Sequence, residues 1–152
     1  QGRCDVFVTD KFGLGARRLA MTNPGDHIIL PETISNEPIS PMVPHGDQVW
    51  RDIVVWTLNS LITAEEYGIT SKNIDKMRSS STNPFIQRVL GKTGKFGGKI
   101  GLGKDWAYRA IKAVGNYGEI WENHLGKHGL GMPRGKNELY TNGGLLISPP
   151  FR

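Results

Sequence analysis

Val6, Phe7 and Val8 form a short apolar run bounded by Asp5 and Asp10, and Ile28, Ile29 and Leu30 form a second run of the same kind. Short unbroken apolar runs between polar residues are the pattern of strands buried on both faces, as in a parallel sheet. Between the two runs the pattern predicts a helix from about Lys11 to Met21. Asp10 stands at its start, where a carboxylate can accept backbone N–H bonds. Asn23-Pro24-Gly25-Asp26 reads as a turn, because Pro fixes φ and Gly supplies a positive φ. Strand, helix and strand with short connections is the α/β pattern.

Pro31, Ser35, Asn36, Pro38 and Pro41 then break any regular element, so this stretch reads as a linker. From Asp47 the spacing becomes helical. Trp50, Ile53, Val54, Thr57, Leu58 and Leu61 recur at steps of three and four and make one apolar stripe. Gly68 is placed to stop that helix in a left-handed conformation. A short helix is predicted over Ser71 to Arg78 with Ile74 and Met77 inward, and another from Pro84, since Pro suits the first helical turn. Asp105 is placed to cap a long helix carrying Trp106, Ala110, Ile111, Val114, Tyr117, Trp121 and Leu125. Gly115 and Gly118 lie inside it at a cost of roughly 1 kcal/mol each against Ala, which points to close approach by another element. Leu130 to Arg152 is rich in Gly and Pro and reads as irregular.

The chain thus divides into an α/β region, residues 1–37, and a mainly helical region after one further strand, residues 38–152. Two or three strands do not complete a parallel sheet. Both regions are therefore expected to pack against residues outside this chain, which would begin in mid-fold. The length of 152 residues is otherwise that of one ordinary domain. No apolar run reaches the roughly 18–20 residues that span a bilayer. The net charge of +5 permits attraction to nucleic acid or an anionic surface, but the Lys and Arg residues are scattered. The single cysteine, Cys4, reads as a small buried strand residue or as half of a disulfide whose partner lies elsewhere.

Candidate chemistry is sparse. There is no G-x-S-x-G elbow, H-E-x-x-H pair, phosphate loop or C-x-x-C motif, and no cofactor is called for. His27, His45, His124 and His128 fall near turns or helix ends and read as surface residues. Glu65 and Glu66 are adjacent and so face different directions. Glu119 and Glu122 read as a solvated helix face, and the four tryptophans as core. Asp10 remains. In open α/β sheets, ligands bind beyond the carboxyl ends of the strands. A carboxylate there, supported by helix N–H groups, could hold a cationic group such as an α-ammonium. The competing reading is a plain helix cap.

Taken in order, several segments resemble one family. Gly2-Arg3-Cys4-Asp5-Val6-Phe7-Val8-Thr9-Asp10 resembles the last strand-to-helix crossing in the second lobe of type II periplasmic binding proteins for polar amino acids. Glu37-Pro38-Ile39-Ser40-Pro41-Met42-Val43 with His45-Gly46-Asp47 is similar to that family's return strand and turn. Trp50-Arg51-Asp52-Ile53-Val54 through Ala64-Glu65-Glu66-Tyr67-Gly68-Ile69-Thr70 resembles its next helix and exit. Asn116-Tyr117-Gly118-Glu119-Ile120, Arg134-Gly135-Lys136-Asn137 and Gly143 through Pro150 resemble the C-terminal extension of the general L-amino-acid-binding subgroup.

The resemblance implies the C-terminal part of a two-lobed α/β fold, incomplete in this chain. Residues 1–37 would be the remainder of the second, ligand-binding lobe with a hinge near its end. Residues 38–152 would be the C-terminal part of the first lobe plus the extension. It implies a non-enzymatic, periplasmic component of an ABC importer, exported by a signal peptide in the missing N-terminal part. Its partners would be an L-amino acid and a membrane permease, without nucleic acid. Asp10 would bind the ligand's α-ammonium and Thr9 would line the pocket. The groups holding the α-carboxylate would lie in the missing half. The alternatives are an enzyme on the same fold acting on a small carboxylate and a basic nucleic-acid or surface-binding module.

Overall fold

Asp47 opens the dominant helix, because its carboxylate accepts the Trp50 N–H at 2.9 Å. In the computed structural model, which describes residues 4–151, this helix runs Gln48–Glu66 and is α2; α1 precedes it at Lys11–Leu19. Gly68 follows at φ 63, the left-handed stop the sequence predicts. Asn73 then accepts the Thr70 N–H at 2.8 Å and leads into α3, Ile74–Ser80. Asn83 accepts from the Phe85 N–H at 2.9 Å, and Pro84 opens α4, Pro84–Val89. A four-residue turn of helix, α5 (Phe96–Lys99), precedes α6, Trp106–Val114.

The long helix expected from Asp105 to Leu125 is two helices. Gly115 breaks it at φ 85, ψ −176, and α7, Tyr117–His124, starts afresh. The break is stable because Asn116 and Glu119 form a capping box. The Asn116 side chain accepts the Glu119 N–H at 2.8 Å, and the Glu119 carboxylate accepts the Asn116 N–H at 2.9 Å. Two orphan donors are satisfied at once, which offsets the lost turn. The close approach expected at the two glycines is present at Gly118, where an added Cβ would lie 3.0 Å from the Glu65 carboxylate. Asp105 occupies the cap position of α6 without a side-chain capping bond, and pairs instead with Arg109 at 3.5 Å.

Helix α2 packs on α6 and α7, and α3 packs on α4 and α6. The buried stripe of α2 is its C-terminal half, Ser60 to Ala64. Its first turn stays in the open, where Trp50, expected in the core, is 48% exposed, while Ile53 and Trp56 are partly buried against the core. Ile69, Ile74, Leu90 and Ile111 are fully buried beneath α2. The irregular tail contributes the largest fully buried side chain, Phe151. Its ring lies 5.0 Å from Trp56 and 5.3 Å from Phe96, with Phe85 and Trp106 at 6.4 and 6.3 Å.

No strand forms among the described residues; a single parallel bridge joins Leu139 and Leu146. This corrects three expectations. The Val6–Val8 and Ile28–Leu30 runs and the Ile39–Val43 stretch are unpaired, and most of their side chains face solvent: Val6 is 73% exposed and Met42 97%. A strand needs a neighbour for its N–H and C=O ladder, and these segments find none among the described residues. Cys4 lies in the same segment and is exposed, not buried.

Two outcomes follow. Expressed alone, this chain should self-associate through the bare apolar segments. Sedimentation velocity finding a monomer at tens of micromolar would contradict this. Phe151→Ala should cost about 3–5 kcal/mol, read as a lower urea midpoint at unchanged slope.

Candidate functional site

Thr9 and Asp10 lead directly into α1. Asp10 has extended backbone (φ −51, ψ 138), and its carbonyl accepts the Leu14 N–H at 2.9 Å, closing the first helical turn. Its carboxylate makes no capping bond. The plain-cap reading is thereby corrected: the carboxylate is exposed and uncommitted, at the positive end of a helix with no acidic residue in its first turn. Thr9 is exposed beside it, with its methyl over the first turn: a Cβ built at Gly13 would sit 3.4 Å away. Arg17, about two turns further along, lies with its guanidinium 5.2 Å above the Phe7 ring.

Helix α1 rests on α7 and the segment that follows it. Phe12 meets Trp121 edge to face at 5.7 Å. Gly15 is the one buried residue of α1, and a Cβ there would come within 2.8 Å of the Met132 sulfur. Further on, Lys136 donates to the Asn36 side chain at 2.8 Å.

Beneath this seat lies an ion pair that the sequence did not announce. Arg134 and Glu65 are joined by both guanidinium nitrogens, with side chains only 9% and 14% exposed. Arg134 also donates to the Asn137 carbonyl at 2.9 and 3.2 Å and lies over the Tyr117 ring at 5.6 Å. Burial opposes the charge most strongly of any one cause, but hydrogen bonding and attraction to Glu65, with the charge of Glu138 nearby, together outweigh it and raise the guanidinium above its ordinary value. Glu66 turns away from Glu65, as adjacency predicts, and accepts from the Tyr140 hydroxyl at 3.1 Å.

Glu119 is not the solvated residue expected. Besides closing the capping box, it accepts the Ser71 hydroxyl at 2.7 Å and the Ser71 N–H at 3.0 Å. Partial burial would raise its carboxyl, yet the bonds from Ser71 and the Asn116 N–H hold it below the usual carboxylate range. Glu122 accepts the Lys127 N–H at 3.1 Å. The four histidines are exposed. Among the described residues no group of three or more His, Cys, Asp or Glu is arranged to hold a metal. Two shallow hollows occur, one of about 430 Å³ beside Ser71, Glu119 and His128 and one of about 210 Å³ beside Arg88, Lys95 and Lys99; neither includes Thr9 or Asp10.

The chain is 49% identical over 152 residues to the glutamate/glutamine/aspartate/asparagine-binding protein BztA of Rhodobacter capsulatus. It is 51% identical over 154 residues to the general L-amino acid-binding periplasmic protein AapJ of Rhizobium johnstonii. Each match covers 99% of this chain and 45% of the relative. The chain is homologous to amino-acid-binding periplasmic proteins of ABC transporters. It spans about half the length of the curated relatives it matches. Among solved structures, an ABC transporter periplasmic binding protein from Brucella ovis with glutathione bound is 49% identical. It superposes with a TM-score of 0.94 over 99% of this chain and 48% of its own. The architecture is thus a mostly helical part of a periplasmic-binding-protein fold. No family model matches the chain.

Two measurements probe the ionic framework. Arg134→Met strands the Glu65 carboxylate and should destabilise by about 3–5 kcal/mol, read by thermal melting. The Glu119 carboxyl is lowered in the folded state, so its contribution is fully present above the unfolded value of about 4.3 and is lost as pH falls through the folded value. Glu119→Gln should flatten that acid limb of the stability–pH curve while leaving its neutral-to-basic shape unchanged.

Proposed function

We propose that this chain forms one wall of the ligand cleft in the extracytoplasmic solute-binding component of an ABC importer for polar or general L-amino acids. In this reading residues 1–37 belong to the ligand-binding lobe and residues 38–152 to the other lobe and its extension, with the hinge near residue 37. The protein would bind and release its ligand without turnover, in the periplasm, and deliver it to a membrane permease; a signal peptide would stand at the start of the full-length protein.

One observation carries the reading. Asp10 presents a carboxylate that caps nothing, at the start of α1 and at the end of an apolar strand-like segment. An ionised carboxylate in that position suits an α-ammonium group, and the helix N–H groups beside it keep the charge favourable. Thr9 adds a hydroxyl next to it. The names of the relatives, for amino-acid-binding proteins, agree with this chemistry.

A second reading has its own support, the glutathione in the Brucella ovis structure. The γ-glutamyl end of glutathione carries the same free α-ammonium and α-carboxylate as glutamate. Asp10 would serve either ligand through the same group, and only the space beyond it would differ. Calorimetric titration with L-glutamate, L-glutamine and glutathione separates the two.

In the full-length protein carrying this chain, Asp10→Asn keeps the shape and removes the charge. Loss of one member of a buried, hydrogen-bonded charge pair costs roughly 2–5 kcal/mol. Affinity should fall at least about 30-fold, at about tenfold per 1.4 kcal/mol, with little change in melting without ligand. Asp52→Asn, at a half-exposed residue beside Arg51 on α2, serves as control and should change neither. Unaltered affinity in Asp10→Asn would remove the assignment.

A further inference from the structure

Residues 76–104 hold seven of the 19 Lys and Arg residues and none of the 14 Asp and Glu. The chain's net charge of +5 therefore lies wholly in this stretch, and the remainder, with 12 basic and 14 acidic residues, is net −2. Basic residues occur along the whole sequence, but here the acidic ones that would neutralise them are missing. The carboxylates at either border are each taken by a cation of α6: Asp75 by Lys112 at 2.8 Å and Asp105 by Arg109 at 3.5 Å. Among the described residues, none of the seven cations forms an ion pair.

The stretch is folded so that these charges share a surface. Gly91, at φ 70, leaves room for the Lys104 backbone, and Gly97 for the carbonyls of Leu102 and Gly103, so the far end doubles back on the middle. Arg88, Lys95 and Lys99 surround one hollow of about 210 Å³, with Gly94 and Phe96 and no carboxylate in its wall. The Lys92 ammonium donates to the Ser79 carbonyl at 3.1 Å, at the end of α3. Lys76, Arg88, Lys92, Lys95, Lys99 and Lys104 are all exposed. The apolar side of the stretch is already satisfied: Ile86, Val89, Leu90 and Ile100 are buried in the core, and no large hydrophobic side chain of residues 76–104 is exposed.

These features select among anionic partners. Protein interfaces are depleted in Lys and built around aromatic and apolar anchors, which this face does not offer. Single-stranded nucleic acid is held on exposed aromatic platforms, and Phe85 and Phe96 are instead packed against the core. Lysine ammoniums are point charges without the directional demand of a guanidinium, so a set of them suits a dense, laterally mobile field of phosphates. We propose that this face docks the protein electrostatically on an anionic phospholipid surface. Because the rest of the chain is net negative, the same field turns this face toward the membrane. The proposal goes beyond the amino-acid-binding reading. It takes from that reading only the periplasmic location, where a phospholipid membrane is at hand, and is independent of the ligand.

The test uses the full-length protein and vesicles of phosphatidylcholine, alone or mixed with an equal part of phosphatidylglycerol. Sedimentation at low salt should show binding to the mixed vesicles and none to phosphatidylcholine, and the binding should disappear as salt screens the charges. Each basic residue near an anionic bilayer contributes about fivefold, or about 1 kcal/mol. Lys95→Gln/Lys99→Gln/Lys104→Gln removes three exposed ammoniums and should weaken vesicle binding roughly 100-fold. Its melting temperature and its affinity for L-glutamate without vesicles should equal the parent's. Arg51→Gln/Lys127→Gln/Lys136→Gln removes the same charge elsewhere and should change vesicle binding little. Equal binding to both kinds of vesicle, full binding by the first triple variant, or an equal loss in the two triple variants overturns the proposal. Binding to poly-glutamate or single-stranded DNA without binding to the mixed vesicles overturns it in favour of an acidic protein or a nucleic acid. A parent protein that binds L-glutamate and ignores the vesicles removes the docking face and leaves the ligand reading intact.

Discussion

The helical part of this chain is organised around one aromatic ring. Phe151 brings an otherwise irregular tail into the centre of a cluster made by Trp56 of α2, Phe85 of α4, Phe96 of α5 and Trp106 of α6. Four helices from different parts of the chain thus share one partner. The Arg88 guanidinium donates to the Phe151 carbonyl at 2.8 Å, so the backbone is tied where the ring is buried. Aromatic side chains bury large areas and prefer the tilted and edge geometries seen here. None of the short helices α3, α4 or α5 is long enough to be stable by itself; α4 and α5 keep their positions through this packing, and α3 through Ile74 and Met77 against the same core.

The local signals in the sequence were read well where a single residue decides the outcome. Asp47, Pro84 and Gly68 mark helix ends through their own side chain or backbone, and each does so in the structure. Reading failed where a distant partner decides. The three- and four-residue spacing continues across Gly115, so periodicity alone joins α6 to α7; the cost of breaking there is offset by Glu119, whose carboxylate also reaches Ser71, 48 positions earlier. The apolar run Val6–Val8 has the composition of a buried strand, yet burial needs neighbours that these residues do not find in this chain.

The site divides the same way. Asp10 stands out as a candidate because a strand-like run ending in a carboxylate at a helix start is a local pattern, whereas Thr9 enters only through the family resemblance. That the carboxylate makes no capping bond was not legible, since the residue type suits a cap equally well. Glu65 and Arg134 each look like surface residues in sequence. They are nearly buried, with the Arg134 guanidinium set against the Tyr117 and Trp121 rings and tied to the Asn137 carbonyl. Gly15 gave a weak signal: a glycine inside a helix is costly unless something approaches closely, and Met132 does.

The ties that close the helical part are long in sequence. Arg88 reaches Phe151 across 63 positions, Arg134 reaches Glu65 across 69, and Tyr140 reaches Glu66 across 74. Each such closure costs chain entropy before any contact rewards it. Helical proteins usually collapse quickly through neighbours in sequence. Here the decisive ring and the decisive ion pair both wait for the tail to return, so the helices can form early and still lack a finished interior. The rate at which this polypeptide reaches its native state is set by that return rather than by helix formation.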